Sequence, residues 1–213
     1  MLTEQQIELN KNEFLSLINQ INIPGADIQG LIKFLEESDF FYAPASTNYH
    51  SAYTGGLCEH SLNVYRTLTK LVEMFSYQIP NLDMNSVLVV GLLHDLSKVN
   101  FYESYIKNEK IYNEKGLKSD NMGKFDWVAK QAFKVKEAKN RFLCKDHETN
   151  SMILISRYIP LSMEETIAIL NHHGGLGDTS TNWDLSPITD TNPLLCLLHA
   201  ADYMSTFILE NME

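Results

Sequence analysis

The stretch MNSVLVVGLLHDLSK, residues 84–98, is apolar on nearly every side of a helix and then ends in a histidine and an aspartate. A helix without a polar face has to be the central one, wrapped by others. Its closing pair, His94 and Asp95, is then buried too, and burying an imidazole beside a carboxylate costs several kcal/mol unless a partner compensates. A cation is such a partner. The stretch therefore predicts a helical bundle built around a polar centre.

The rest of the chain supplies the wrapping. Helices are expected over 3–21 and 27–38, separated by Pro24 and Gly25. From Leu57 to Phe75 the apolar positions 64, 65, 68, 71, 72 and 75 follow helical spacing, and His60 extends the same stripe. Helical periodicity returns from His147 through Ser151, Leu154, Ile155 and Tyr158. Ser162 and Glu165 have the capping-box form, opening a helix expected to stop at Gly174 and Gly175. Pro193 opens a last helix reaching about Leu209. Two segments lack this pattern. Residues 40–56 read as an aromatic-rich loop, and residues 100–146 as a small β-hairpin or irregular insertion. The expected fold is all-α, one domain over 1–213, with N-terminal helices in 1–39, a core over 40–209 and the insertion within it.

With 213 residues and 44% hydrophobic content the chain can bury a sizeable core. Its net charge of −10 disfavours coating nucleic acid by bulk electrostatics. The charge is uneven, however. Between Lys107 and Lys145 stand eleven basic residues against five acidic ones, a local +6 that leaves −16 for the remainder. That segment either guides an anionic substrate or is simply a solvated excursion. The longest apolar run, Val87 to Leu93, is far short of the ~20 residues of a membrane span, and the start lacks the pattern of a secretory signal. No membrane association and a cytoplasmic location are expected. Cys58, Cys144 and Cys196 form no CxxC pair and read as small core residues of a reducing compartment.

Five histidines and two aspartates fall at helix positions expected to face inward: His60, His94 with Asp95, His147, His172 with its neighbour His173, and Asp202. A lone histidine on an apolar face is more often a hydrogen-bonded core residue. The buried dipeptide and its imidazole companions on separate helices suit a first-row transition metal instead. Lys98 follows His94 by four residues and Asp95 by three, so it points to the same place and would serve an anionic substrate such as a phosphate. Helical phase allows either His172 or His173 to turn inward. His199 reads as a structural neighbour of Asp202.

The order His60, His94-Asp95, Asp202 resembles the H…HD…D signature of the HD-domain superfamily of metal-dependent phosphohydrolases, over roughly residues 40–209. His147 and His172 resemble the additional ligands of its dinuclear subgroup, which is all-helical and in which the HD aspartate bridges two metals. The segment PAS…YHSAYTGGLCEHSLNV, from Pro44, is similar to the entry into the HD domain of bacterial 3′→5′ exoribonucleases, where His50 would match an accessory histidine. LLHDLSK and NHHGG are also similar to HD-GYP phosphodiesterases, but residues 174–183 lack the GYP signature. The resemblance implies two divalent ions (Mn, Fe, Co, Ni or Zn) on His60, His94, Asp95, His147, His172 and Asp202, with Asp95 and Lys98 as catalytic residues. Lys98, His173 and His50 would contact substrate. The reaction implied is hydrolysis of a phosphoester in a nucleotide or short single-stranded oligonucleotide by a metal-activated water. Two alternatives use the same fold: a di-iron oxygenase and a non-catalytic nucleotide-binding regulator. Phe40, Phe41, Tyr42, Tyr49, Tyr53 and Trp183 are each placed either to stack on a base or to serve as plain packing.

Overall fold

The structure, a computed structural model, describes residues 2–141, 146–173 and 191–210. Its described helices are α1 (Glu4–Ile18), α2 (Ile28–Glu37), α3 (Gly56–Met74), α4 (Met84–Leu93), α5 (His147–Ile155), α6 (Met163–Leu170) and α7 (Pro193–Met204). Local chemistry sets most of their starts. Thr3 and Ser162 form capping boxes with Gln6 and Glu165, Asp27, Asp83, Asp146 and Asn192 cap with their side chains, and Pro193 occupies the first turn of α7.

As its composition requires, α4 is central: every residue from Ser86 to Leu93 is buried. It packs against α3, α1, α6 and α7, while α3 in turn lies along α7. The α3–α4 crossing depends on Gly91, where an added Cβ would come within 3.0 Å of the Tyr65 Cα. Alanine there gains about 1 kcal/mol of helix propensity against that contact. Valine adds two further carbons in a fully packed space, so Gly91→Val is expected to cost about 1–3 kcal/mol in denaturant unfolding.

Several expectations need correction. The central helix does not run to residue 98: α-geometry ends at Leu93, and Leu96–Lys98 form a 3₁₀ turn. Likewise α6 ends at Leu170 before the glycine pair, with Gly174 and Gly175 outside the described residues. The helical bundle stands as expected, and the insertion within it, expected as a small hairpin or irregular segment, forms a small three-stranded sheet. Strands β1 (Tyr102–Tyr112), β2 (Lys118–Asp120) and β3 (Gly123–Val135) form an antiparallel sheet in the order β1-β3-β2. Alternation of apolar and charged residues along β3 supports these strands, and one face of the sheet carries the cross-strand pairs Lys130–Glu109 and Lys134–Glu103. Together with Lys110–Asp120 and Lys139–Glu137, these ion pairs engage four of the eleven basic residues between Lys107 and Lys145, but only Glu103 among their partners lies outside that segment, so most of the local positive excess stands.

Phe40 and Phe41 are not available for stacking. Both are buried, with ring centroids 4.8 and 6.0 Å from that of Phe14 on α1. Tyr42 and Tyr49 are exposed, and Trp183 lies outside the described residues. Cys58 is buried as expected, but Cys196 is exposed, because it lies on the outward face of α7 between buried Leu195 and Leu197. Cys144 lies outside the described residues. Among the described residues no helix is long and apolar enough to cross a membrane.

Candidate metal centre

The ends of the helices carry the chemistry. His60 comes from the second turn of α3, His94 and Asp95 from the turn closing α4, and His147 from the first residue of α5. His172 and His173 come from the turn after α6, and Asp202 from the last turn of α7. Their side chains converge. His60 Nε2 and His94 Nε2 each lie 3.5 Å from Asp95 Oδ2, while His147 Nε2 and His172 Nε2 each lie 3.8 Å from Asp95 Oδ1. His60 Nε2 is also 3.3 Å from Asp202 Oδ1. The two oxygens of one carboxylate thus face two different pairs of imidazoles.

Hydrogen bonding at the outer nitrogens explains the orientation of each ring. The last carbonyls of a helix lack intrahelical donors. His94 Nδ1 donates to one of these, the Gly91 carbonyl (3.3 Å), and His172 Nδ1 to another, the Ile169 carbonyl (2.7 Å). His60 Nδ1 donates to the Glu210 carboxylate (3.0 Å), and His147 Nδ1 faces Glu148 Oε2 at 3.1 Å. With Nδ1 protonated on His60, His94 and His172, the lone pair of each ring in its neutral form sits on Nε2. The Nε2 atoms of all four rings, together with Asp95 Oδ1, are sheltered from solvent and have no hydrogen-bond partner. Buried polar atoms are rarely left so. Four imidazole Nε2 atoms and a carboxylate oxygen aimed at shared space fit a divalent cation, the partner that would satisfy them together. Among the described residues four overlapping donor sets could hold an ion: His60, His94 and Asp202; His94, Asp95 and His172; His147, His172 and His173; and, on the outer side of His60, His50, His60 and Glu210.

Charge supports the same reading. Although burial opposes ionisation, the Lys98 ammonium and the surrounding imidazoles hold the Asp95 carboxyl well below the ordinary range, and His60 does the same for Asp202. Burial pulls His94 and His147 down and brings His172 to about 3, so all three are neutral at pH 7. For His60 burial is outweighed by Glu210, Asp202 and Asp95, which lift it well above its usual value. Lys98, raised by Asp95 against the effect of burial, stays charged and lies 2.6 Å from Asp95 Oδ2.

The structure brings both members of the His172/His173 pair to the site. His172 is on the buried floor with His60, His94 and Asp95, whereas His173 is partly exposed at the rim beside His147, 3.9 Å from Asp202. His199 donates to the His172 carbonyl (2.6 Å), which fixes that turn. His50 lies off this centre, its ring 4.8 Å from that of His60, and burial with nearby His60 and Lys98 pushes it down to about 4.

Sequence reasoning missed two carboxylates. Glu148 grips His147 and His173 at once (3.1 and 2.9 Å), and Glu210 holds His60 while accepting from Ser51 (2.8 Å) and Asn63 (3.2 Å). The His147-Glu148 dipeptide was a usable signal for the first, being a second histidine-acid pair at a helix start. Nothing local marks the second, which lies 150 residues from the ring it holds.

The HD-domain family pattern matches residues 57–206, covering α3, the His94-Asp95 turn and Asp202. The chain belongs to the HD-domain family. HD domains bind divalent metals and are mostly hydrolases, so the convergent donors of this HD domain lie in a family whose members hold such ions. No curated protein and no solved structure gave a match.

Proposed function

We propose that this HD domain is a dinuclear metal-dependent phosphohydrolase acting on a phosphoester of a nucleotide or short single-stranded oligonucleotide. One observation carries the reading: Asp95 divides its two oxygens between His60 with His94 on one side and His147 with His172 on the other. Asp202 completes the first group. A carboxylate that turns one oxygen to each of two imidazole pairs is a donor set that would suit two adjacent divalent ions. When bound, such ions supply Lewis acidity and a water acidified for attack on phosphorus.

The chain's own groups do the rest. His60, His94, His172 and Asp95 form a floor closed to solvent, while His147, His173 and Lys98 border the more open side, which directs the phosphoester to that side. Lys98 keeps its charge there and neutralises negative charge building on the phosphoryl oxygens. His173, oriented by Glu148, is a second contact for a phosphate oxygen. Tyr42 and Tyr49, exposed in the 40–56 segment, offer ring faces to a base.

Protein purified without chelator is expected to carry Mn, Fe, Co, Ni or Zn by elemental analysis and to release phosphate or a mononucleotide from a panel of nucleotides and short oligonucleotides. Chelation should abolish release, and a divalent ion should restore it. Turnover that requires dioxygen would replace this reading with oxygenase chemistry. Tight nucleotide binding without any product would replace it with a regulatory module.

A further inference from the structure

β1 has an open edge. Its ladder to β3 pairs Tyr102 with Val135 through Tyr112 with Phe125, and the same register continues outward, with the Lys136 N–H donating to the Phe101 carbonyl and the Asn113 N–H to the Lys124 carbonyl. Odd-numbered residues therefore direct their backbone groups to β3. By the alternation of an antiparallel ladder, Ser104, Ile106, Asn108, Lys110 and Tyr112 turn theirs outward. Among the described residues no backbone group from another segment bonds to this edge.

We propose that the edge is an interface for a second copy of this chain, the two β1 strands pairing antiparallel about a two-fold axis at Asn108. The argument for a second copy is self-complementarity. A two-fold axis perpendicular to the sheet keeps like faces together, so each allowed register is centred on a residue. Three such registers overlap nine or more of the 11 residues of β1. Centred on Lys107, the lysine opposes itself. Centred on Ile106, Glu103 opposes Glu109 on both sides of the axis. Centred on Asn108, Lys107 opposes Glu109 twice and Tyr105 opposes Ile111 twice, while Asn108 exchanges both backbone bonds with its counterpart. Like charges directly opposite one another destabilise a strand pair, and opposite charges support it.

Lysines on an edge ordinarily prevent pairing. Here Lys107 blocks the register centred on itself and is matched in the neighbouring one. That pairing also covers Tyr105, Ile106, Ile111 and Tyr112, apolar side chains that the single chain leaves between 37% and 69% exposed. It joins the two three-stranded sheets into one.

Sedimentation equilibrium on the full chain tests the proposal, with a dimer expected. Asn108→Pro removes an outward N–H that the β1–β3 ladder does not use, so it should yield a folded monomer with an unchanged circular dichroism spectrum. Lys107→Glu and Glu109→Lys should each weaken association about tenfold or more. Glu109 also bonds Lys130 within the chain, so the decisive variant is the double exchange Lys107→Glu/Glu109→Lys, which restores opposite charges across the axis and should restore the dimer. A monomeric wild-type chain at its highest soluble concentration overturns the proposal. So does a dimer indifferent to Asn108→Pro, or a double exchange no tighter than the single ones.

Discussion

Replacing Asp95 with asparagine is expected to remove bound metal and to lower phosphoester hydrolysis on the order of 10³-fold or more. The size of the effect follows from position. Asp95 is the one carboxylate whose two oxygens face both imidazole pairs, so its loss withdraws an anionic donor from both halves of the site at once. The amide keeps the shape of the side chain, which separates loss of charge from loss of packing. Both substitutions leave the Lys98 ammonium without the carboxylate 2.6 Å away, and unpaired buried charges cost about 3–5 kcal/mol, whereas alanine would also remove the side-chain oxygen and the packing that the amide keeps. The measurement is metal content and turnover on the same folded sample. An Asp95→Asn protein that retains its full metal content and activity would refute the bridging role.

Replacing Glu210 with alanine is expected to weaken metal binding about 10- to 100-fold, although Glu210 contributes no inward-facing donor. Its carboxylate fixes His60 in the tautomer whose Nε2 faces Asp95 and Asp202, and ties the ring to Ser51 and Asn63. The pH dependence distinguishes this role from a merely structural one. Glu210 is the chief group raising His60 above its ordinary value, so at neutral pH a metal has to displace a proton from His60. Wild-type affinity should therefore fall as pH drops through the raised His60 value. Removing Glu210 lowers that value, so the loading midpoint should move to lower pH even as affinity at high pH declines. Glu210→Gln should share the downward shift in midpoint and keep more of the affinity. Metal titrations across pH against a competing indicator would show both effects, and an unmoved midpoint would count against the proposed role.

How much of this was readable in the chain differs element by element. The apolar sequence of α4 placed it at the centre, and the capping residues of α6 and α7 marked where those helices begin, because both signals act within a turn or two of backbone. The same periodic reading put His60 on a buried stripe and Lys98 beside Asp95. It did not reach Phe40 and Phe41, which lie in a segment without periodicity and whose burial is decided by Phe14 on a different helix. It also left His172 and His173 undecided: α6 ends at Leu170, so helical phase does not extend to them, and the Ile169 carbonyl determines how the His172 ring turns.

The amino-acid sequence by itself determined the kinds of donor, the helices or helix ends that carry them, and the need to compensate a buried imidazole-carboxylate pair. Only the tertiary structure decided which imidazoles face each oxygen of Asp95, that His173 belongs to the rim, and that Glu210 reaches His60 across 150 positions of chain. The reason is one of range. Helical phase and capping are governed by the backbone within a few residues, whereas the meeting of a given imidazole with a given carboxylate depends on how distant helices cross.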